Sequence, residues 1–508
     1  MDANDSFTNK PVSKISRWIS AGICLVICII PWILFLYVAF RRFKYPFDIG
    51  WWEGQALDLA IGFGKASSIY PSPSATTMGL WWFPGIFWLD GLSAMMFGPQ
   101  LWAGRTVSLF GAIGIAFLLV YIIGKHRHDY ILGTACAALF FTAFIPSGAM
   151  LDTINPFGPA WCLALASFAF AGSRKIWAVP ISLILMLLAG CTHPATLLMV
   201  PACAAINGNF KNRMRMILFF TVPILGTAAV AEAYQITTNG LFLNYLLSAQ
   251  MAAFSNFSKD LTFACSYFSI PLVILGWRIT KCLYEKSPFY FDPFILAFIG
   301  CTLAFLLPHA DLGNDLKPWG IPLAVGCALA FGAFAPLSAP TVAGSQTHII
   351  GPLDPVSARG ILAAFLIIQI LAGVGRYTKM VPTEANMSAA QNFIVEASDP
   401  PGEVWVADHI VHHEGITHYI TLHSLETLNR DPWPKNMKKE IIKELFEVNL
   451  SKIYSEELLE DSPLQKLIFR QFKGRSSMIP FRLRAKGFFG KENEIKYLYN
   501  PRPSTEEQ

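Results

Sequence analysis

Charge is what this sequence has least of. Lys, Arg, Asp and Glu make up only 14% of its 508 residues, against roughly 25% in an ordinary soluble domain. Hydrophobic residues reach 54%, so a disordered chain and a wholly soluble enzyme are both excluded. The shortage is uneven. Residues 377–508 hold 36 of the 73 charged side chains, 17 basic and 19 acidic, leaving 37 for the first 376 residues. The ten cysteines show no CxxC or disulfide-type spacing, and the tail has none, so cysteine usage fixes neither a redox compartment nor a zinc site. The tail run of Asp408, His409, His412, His413, Glu414, His418 and His423 has metal-binding residue types but no HExxH spacing, and a histidine-bearing loop explains it better. A net charge of +5 without one concentrated basic patch gives nucleic-acid binding no support.

What is present is a series of long apolar runs. The first, Ile19 to Phe40, follows Lys10, Lys14 and Arg17; it is too long for a signal-peptide core and reads as an uncleaved transmembrane helix. Further spans are expected at about 103–124, 130–149, 159–173, 176–190, 194–207, 216–235, 262–277, 291–307, 319–337 and 359–375, about eleven in all. The pieces on either side of His193 and Pro194 are short for a core of roughly 30 Å. The predicted fold is therefore mainly α, a polytopic transmembrane helical bundle over 1–376 with an outer loop at 41–102, followed by a small soluble α/β domain over 377–508. In the tail, Glu403 to Ala407 reads as a strand, Met437 to Glu447 as an amphipathic helix and Ile495 to Tyr499 as a last strand.

Basic residues orient the bundle. Alternate loops carry Lys125 and Arg127, then Arg174 and Lys175, then Lys211, Arg213 and Arg215, then Arg278, Lys281 and Lys286. The opposite loops carry only Lys65, Lys259 and Lys317 besides the Arg41, Arg42, Lys44 cluster. By the positive-inside rule the first set is cytoplasmic, which predicts a multi-pass plasma (inner) membrane protein with its tail on the periplasmic or extracellular side. The outer loop at 41–102 is rich in Trp, a residue suited to the membrane interface, and short helices along the outer surface are expected there.

The acids collect on that outer side. Asp48 and Glu53 lie just beyond the first helix, where two carboxylates could serve as a general base and an orienting acid or metal ligand; plain solvated loop acids are the simpler alternative. Asp152 lies in a short loop between two apolar helices, an expensive place for an unpaired charge, and could instead cap the helix beginning near Pro156. Arg105, near the start of the second span, and His193 are cations at helix ends able to meet a phosphate, although snorkelling and a satisfied loop histidine explain each alone. Asp311, Asn314 and Lys317 form a polar island able to contact a sugar or phosphate, and a plain glycine turn at Gly313 accounts for part of it.

The order of these features resembles the polytopic GT-C glycosyltransferases, the family 39-like enzymes that use polyprenyl-phosphate sugars. In their first outer loop an Asp precedes a Glu-Gly pair, a Gly, a Tyr-Pro, an aromatic-Pro segment, and a Phe-Gly before Ala-Gly-Arg. Here these read Asp48, Glu53-Gly54, Gly64, Tyr70-Pro71, Trp82-Phe83-Pro84, Phe97-Gly98 and Ala103-Gly104-Arg105. Asp152 stands for the second outer Asp of that family, Thr192-His193-Pro194 for a Thr-Lys-Gln-like break, and Gly313 with Asn314 for a late Gly and Asn. Trp51 and Trp52 lengthen the gap before Glu53, and His193 replaces a Lys. The resemblance, over roughly residues 18–376, implies transfer of a sugar from a polyprenyl-phosphate donor, within the lipid bilayer, to a glycan, lipid or protein acceptor at the outer face. It implies Asp48 as base, Asp152 orienting the acceptor or sharing a divalent metal, and Arg105, His193, Arg41 or Arg42 at the phosphate. A transporter or lipid flippase, or a catalytically silent accessory subunit, also fits many spans with embedded charge.

Overall fold

The computed structural model describes residues 14–43, 45, 48–49, 52–63, 69–74, 77–147, 151–206, 212–250, 276, 280, 292–307, 320–334, 355–379, 381–398, 403–406, 433, 435–447, 450–455, 476–478, 486–487, 493–494 and 497–499. Among the described residues, three helices are long and apolar enough to cross a bilayer by themselves: the Ala21–Phe43 part of α1 (Lys14–Phe43), α4 (Leu101–Arg127) and α9 (Arg213–Thr237). Their outward sides are apolar and bare, as at Val26, Ile33 and Phe40 on α1, Phe110 and Phe117 on α4 and Leu225 on α9. Such faces stay out of water only against lipid. This is a helical membrane protein.

Shorter apolar helices fill in the bundle: α5 (Tyr130–Ser147), α6 (Phe157–Ala171), α7 (Ala178–Thr192), α11 (Pro293–Leu306), α12 (Gly320–Phe334) and the Ala363–Gly375 part of α13 (Pro355–Lys379). The expected span at 262–277 lies outside the described residues except for Gly276. After α7 the backbone of His193 becomes extended (φ −153°, ψ 111°), then forms a 3-10 turn over Pro194–Met199 and α8 over Val200–Ala205. Pro194 explains the break, because the residue before a proline is driven out of the helical region. The bundle closes tightly where small residues meet. A Cβ added to Gly111 on α4 would stand 2.6 Å from the Pro159 nitrogen of α6, so only glycine admits that approach.

Among its described residues the outer loop contains the helices α2 (Glu53–Ile61) and α3 (Pro84–Phe97). They are more enclosed than helices lying on a surface: seven of the nine residues of α2 are buried. Proline at the first turn of α3 fits the position where its missing N–H goes unused. The far end of α3 exposes Leu92, Met95, Met96 and Phe97, an apolar edge suited to the membrane interface.

Beyond α14 (Glu384–Ser398) the described elements are β1 (Glu403–Val406), α15 (Lys435–Glu447), β2 (Leu450–Ser455), β3 (Ser476–Met478), β4 (Lys486–Gly487), β5 (Asn493–Glu494) and β6 (Tyr497–Tyr499). β1 and β2 pair in parallel and β6 lies antiparallel between β2 and β3, giving the order β1-β2-β6-β3. A parallel pair needs a long crossover, and α15 lies within it. Contacts from the chain past α13 reach the Asp48 end of the bundle. The Arg41 Nη2 donates to the Pro382 carbonyl at 3.3 Å, and buried Trp433 meets the Tyr245 ring of α10 (Leu241–Gln250) at 4.8 Å.

Candidate active site

Glu53 opens α2 fully buried, and its partners come from three other segments of the chain. Arg105 reaches it with two donors, Nε to Oε1 at 3.0 Å and Nη2 to Oε2 at 2.8 Å. The Ile49 amide donates to Oε2 at 2.7 Å and the Ile154 amide to Oε1 at 3.1 Å. The same guanidinium donates through Nη1 to the Arg42 carbonyl at 3.0 Å and to the Tyr45 carbonyl. One ion pair thus ties together the end of α1, the Asp48 turn, the start of α4 and the 151–156 loop. A bidentate Arg–carboxylate contact, with the remaining lone pairs met by amides, offsets the desolvation that burying both charges costs.

Asp152 belongs to a second pair. Arg42 Nη1 donates to its Oδ1 at 2.8 Å, with both residues buried. The helix after it is capped by another residue: Asn155 Oδ1 accepts from the Phe157 and Gly158 amides at 3.0 and 3.2 Å. Arg105 lies within electrostatic reach of both Asp48 and Asp152. His193, half-buried, stacks its ring 4.6 Å from Phe157 on α6, two residues past Asn155. Arg41 points the other way, toward Pro382. Asp311, Asn314, Lys317 and the tail histidines lie outside the described residues.

Asp48 sits against this framework with its carboxylate enclosed. Its residue is 2% exposed, and neither oxygen has a hydrogen-bond partner of good geometry among the described residues. The first turn of α2 closes over it at Gly54, where an added Cβ would stand 2.9 Å from Oδ2. Burial pushes the carboxyl well above the usual aspartate range and the Glu53 charge pushes the same way, while Arg105 and the Gly54 amide oppose them. A carboxyl so tuned takes a proton more readily than an exposed aspartate does.

Asp90 on α3 was not singled out in the sequence. It is fully buried, both its oxygens lack partners among the described residues, and burial followed by Glu53 raises its carboxyl well above the ordinary range. One turn on, Ser93 donates to the Ala103 carbonyl at 2.6 Å, which sets that side of α3 against the start of α4. A single acid inside an otherwise apolar fourteen-residue helix was the available signal. Trp52 was also missed; its indole N–H donates to the Ile154 carbonyl at 2.6 Å, so two neighbouring residues grip the 151–156 loop. An aromatic wall borders the outer loop. Tyr70 donates to the Trp82 carbonyl at 2.6 Å and lies edge-on to Phe242 at 5.0 Å, and Tyr245 donates to the Pro71 carbonyl at 2.7 Å.

In sequence, no family model and no curated protein matches this chain. In structure, the apo form of ArnT from Cupriavidus metallidurans superposes with a TM-score of 0.53 at 12% identity, covering 96% of this chain and 99% of that one. Its undecaprenyl-phosphate-bound form gives 0.52 at 12% identity over 93% and 98%. The chain has the GT-C fold. A third GT-C structure, the Archaeoglobus fulgidus oligosaccharyltransferase tethered to an acceptor peptide, gives 0.45 at 11% identity over 96% of this chain and 74% of that one. Within the GT-C bundle of this chain, the Glu53–Arg105 and Arg42–Asp152 pairs and the enclosed Asp48 all lie at the end where α1 gives way to the outer loop.

Proposed function

We propose that the chain is a membrane glycosyltransferase that moves a sugar from a polyprenyl-phosphate donor to an acceptor hydroxyl at the outer membrane face. The observation that carries this reading is Asp48, an enclosed carboxylate with raised proton affinity beside a rigid charged framework. The acceptor hydroxyl attacks the anomeric carbon while Asp48 takes its proton. The bond from that carbon to the phosphate oxygen breaks, the phosphate leaves on its lipid, and the sugar is inverted. A base and an electrostatic partner for the leaving phosphate are what such a displacement requires.

Roles for the other residues follow from their bonds. Arg105 and Glu53 saturate one another, so we assign them to holding the Asp48 turn. Arg42 and Asp152 form the second wall, with Asp152 orienting the acceptor, and half-buried His193 is the nearer candidate for the phosphate. Asn314, Lys317 and Asp311 remain proposed contacts to the sugar. Among the described residues no three His, Cys, Asp or Glu side chains converge as a metal site, and the displacement above uses none. Residues 1–376 form the transferase domain in this reading and 377–508 a soluble outward α/β domain, in the inner membrane. Asp48→Asn should lower transfer by at least about 10²-fold while the purified protein keeps its melting temperature. Near-normal turnover by that variant, with donor lipid and acceptor supplied, would remove Asp48 from the mechanism.

A further inference from the structure

The end of the bundle opposite Asp48 holds a cavity that the transfer reaction does not use. Its volume is about 350 Å³, within the span of small-ligand sites, roughly 300–1,000 Å³. Arg105 and Lys125 lie on the same helix, which puts the cavity about 30 Å from the Glu53 framework at ~1.5 Å per residue. The walls are apolar, from Ile122 on α4, Phe168 on α6, Ile206 and Phe294 on α11. The rim carries one lysine and one histidine, Lys125 and His126. Lys125 Nζ donates to the Tyr121 hydroxyl at 3.1 Å and stands 5.3 Å from the centre of that ring, and the exposed His126 ring lies 4.3 Å from Phe294.

Two carboxylates lie near this rim. Asp129 accepts from the Ile131 and Leu132 amides at 3.0 and 3.1 Å, and Asp292 accepts from Phe294 and Ile295 at 2.9 and 3.3 Å. Both are occupied as helix caps, where the helix N-terminus already favours a negative charge. The result is an apolar slot at this end of the bundle, with Lys125 and His126 at its rim. A phosphate on an acyl chain matches both halves of that pattern, whereas a neutral metabolite uses only one.

We propose that this cavity binds an anionic glycerophospholipid from the leaflet opposite Asp48, with its phosphate at Lys125 and His126 and an acyl chain along Ile122, Phe168 and Phe294. The proposal needs the bundle to span a bilayer but does not depend on the transferase reading. The test is native mass spectrometry of the purified full chain in micelles containing phosphatidylglycerol and phosphatidylcholine. Phosphatidylglycerol should be retained at least about fivefold over phosphatidylcholine, and Lys125→Ala should reduce that retention about fivefold, the effect of one basic residue at an anionic lipid surface. Lys125→Glu should abolish the preference, and Arg213→Ala, which lies outside the cavity, should leave it intact. Equal retention of the two lipids would overturn the site. An equal loss in Arg213→Ala would reduce it to general surface charge, and displacement by millimolar inorganic phosphate would make it a free-anion site instead. If Lys125→Ala does not purify as a folded protein, Lys125→Gln supplies the same reading.

Discussion

Asp48 and Asp90 are both enclosed carboxylates beside Glu53, yet they sit in different settings. Asp48 faces Arg105 and the Gly54 amide in a turn, whereas Asp90 is held in the middle of a helix. For Asp48 the raised proton affinity places the acidic limb of kcat/KM against pH above the ordinary aspartate value of about 3.9. Activity should rise as the pH climbs through that limb, because the base must be free of its proton. A limb at the ordinary value would mean that the base is an exposed acid elsewhere. For Asp90 the sign concerns stability. The folded state holds the proton to higher pH than the unfolded chain does, so Asp90 makes folding less favourable as pH rises past the unfolded value. Asp90→Asn should therefore match or exceed the wild-type melting temperature at pH 8, and a large drop there would show that its charge is used. Glu53→Gln should have the opposite effect, costing about 3–5 kcal/mol by leaving Arg105 buried without its counter-charge; an unchanged melting curve would contradict the framework role. At this scale the sequence displayed the acids but hid their partners. Glu53 and Arg105 are 52 residues apart and Arg42 and Asp152 are 110 apart, and nothing local distinguishes a paired arginine from a snorkelling one.

Elements were far more legible than contacts, because a helix announces itself through hydropathy alone. The boundaries expected at 103–124 and 130–149 appear as Leu101–Arg127 and Tyr130–Ser147. The break at His193 was legible because Pro194 acts on its immediate neighbour. The enclosure of α2 was not, since its depth is set by packing against α3 and by the Glu53 contacts. Close approach of helices is equally tertiary. Gly111→Val should force α4 away from α6, with an overpacking penalty of about 1–3 kcal/mol. Thermal unfolding in detergent measures it, and a neutral result would mean that the helices can separate freely at that point.

For the molecule as a whole, composition predicts a division between bundle and tail but does not say where the tail touches down. The Arg41–Pro382 and Trp433–Tyr245 contacts put that region at the Asp48 end. Charge bias predicts that this end is outward. A cysteine at Ser476 should therefore react with a membrane-impermeant thiol reagent in intact cells or spheroplasts, and one at His126 should not. The reverse pattern would invert the whole arrangement.

The four-way junction at Glu53 also sets a timetable for synthesis. Ile154, the last donor to Glu53, is made 101 residues after it, a delay of about 5–20 s at typical elongation rates. Throughout that interval the nascent chain carries a carboxylate whose partners have not all arrived. Insertion of the first helices and maturation of the junction are therefore separate events, and the intermediate between them is the form on which membrane quality control can act. In a pulse-chase experiment, chains ending after Arg127 should be degraded faster than chains ending after Ser173, which include the Ile154 amide and the Asp152 carboxylate that answers Arg42. Equal half-lives would show that the junction plays no part in maturation.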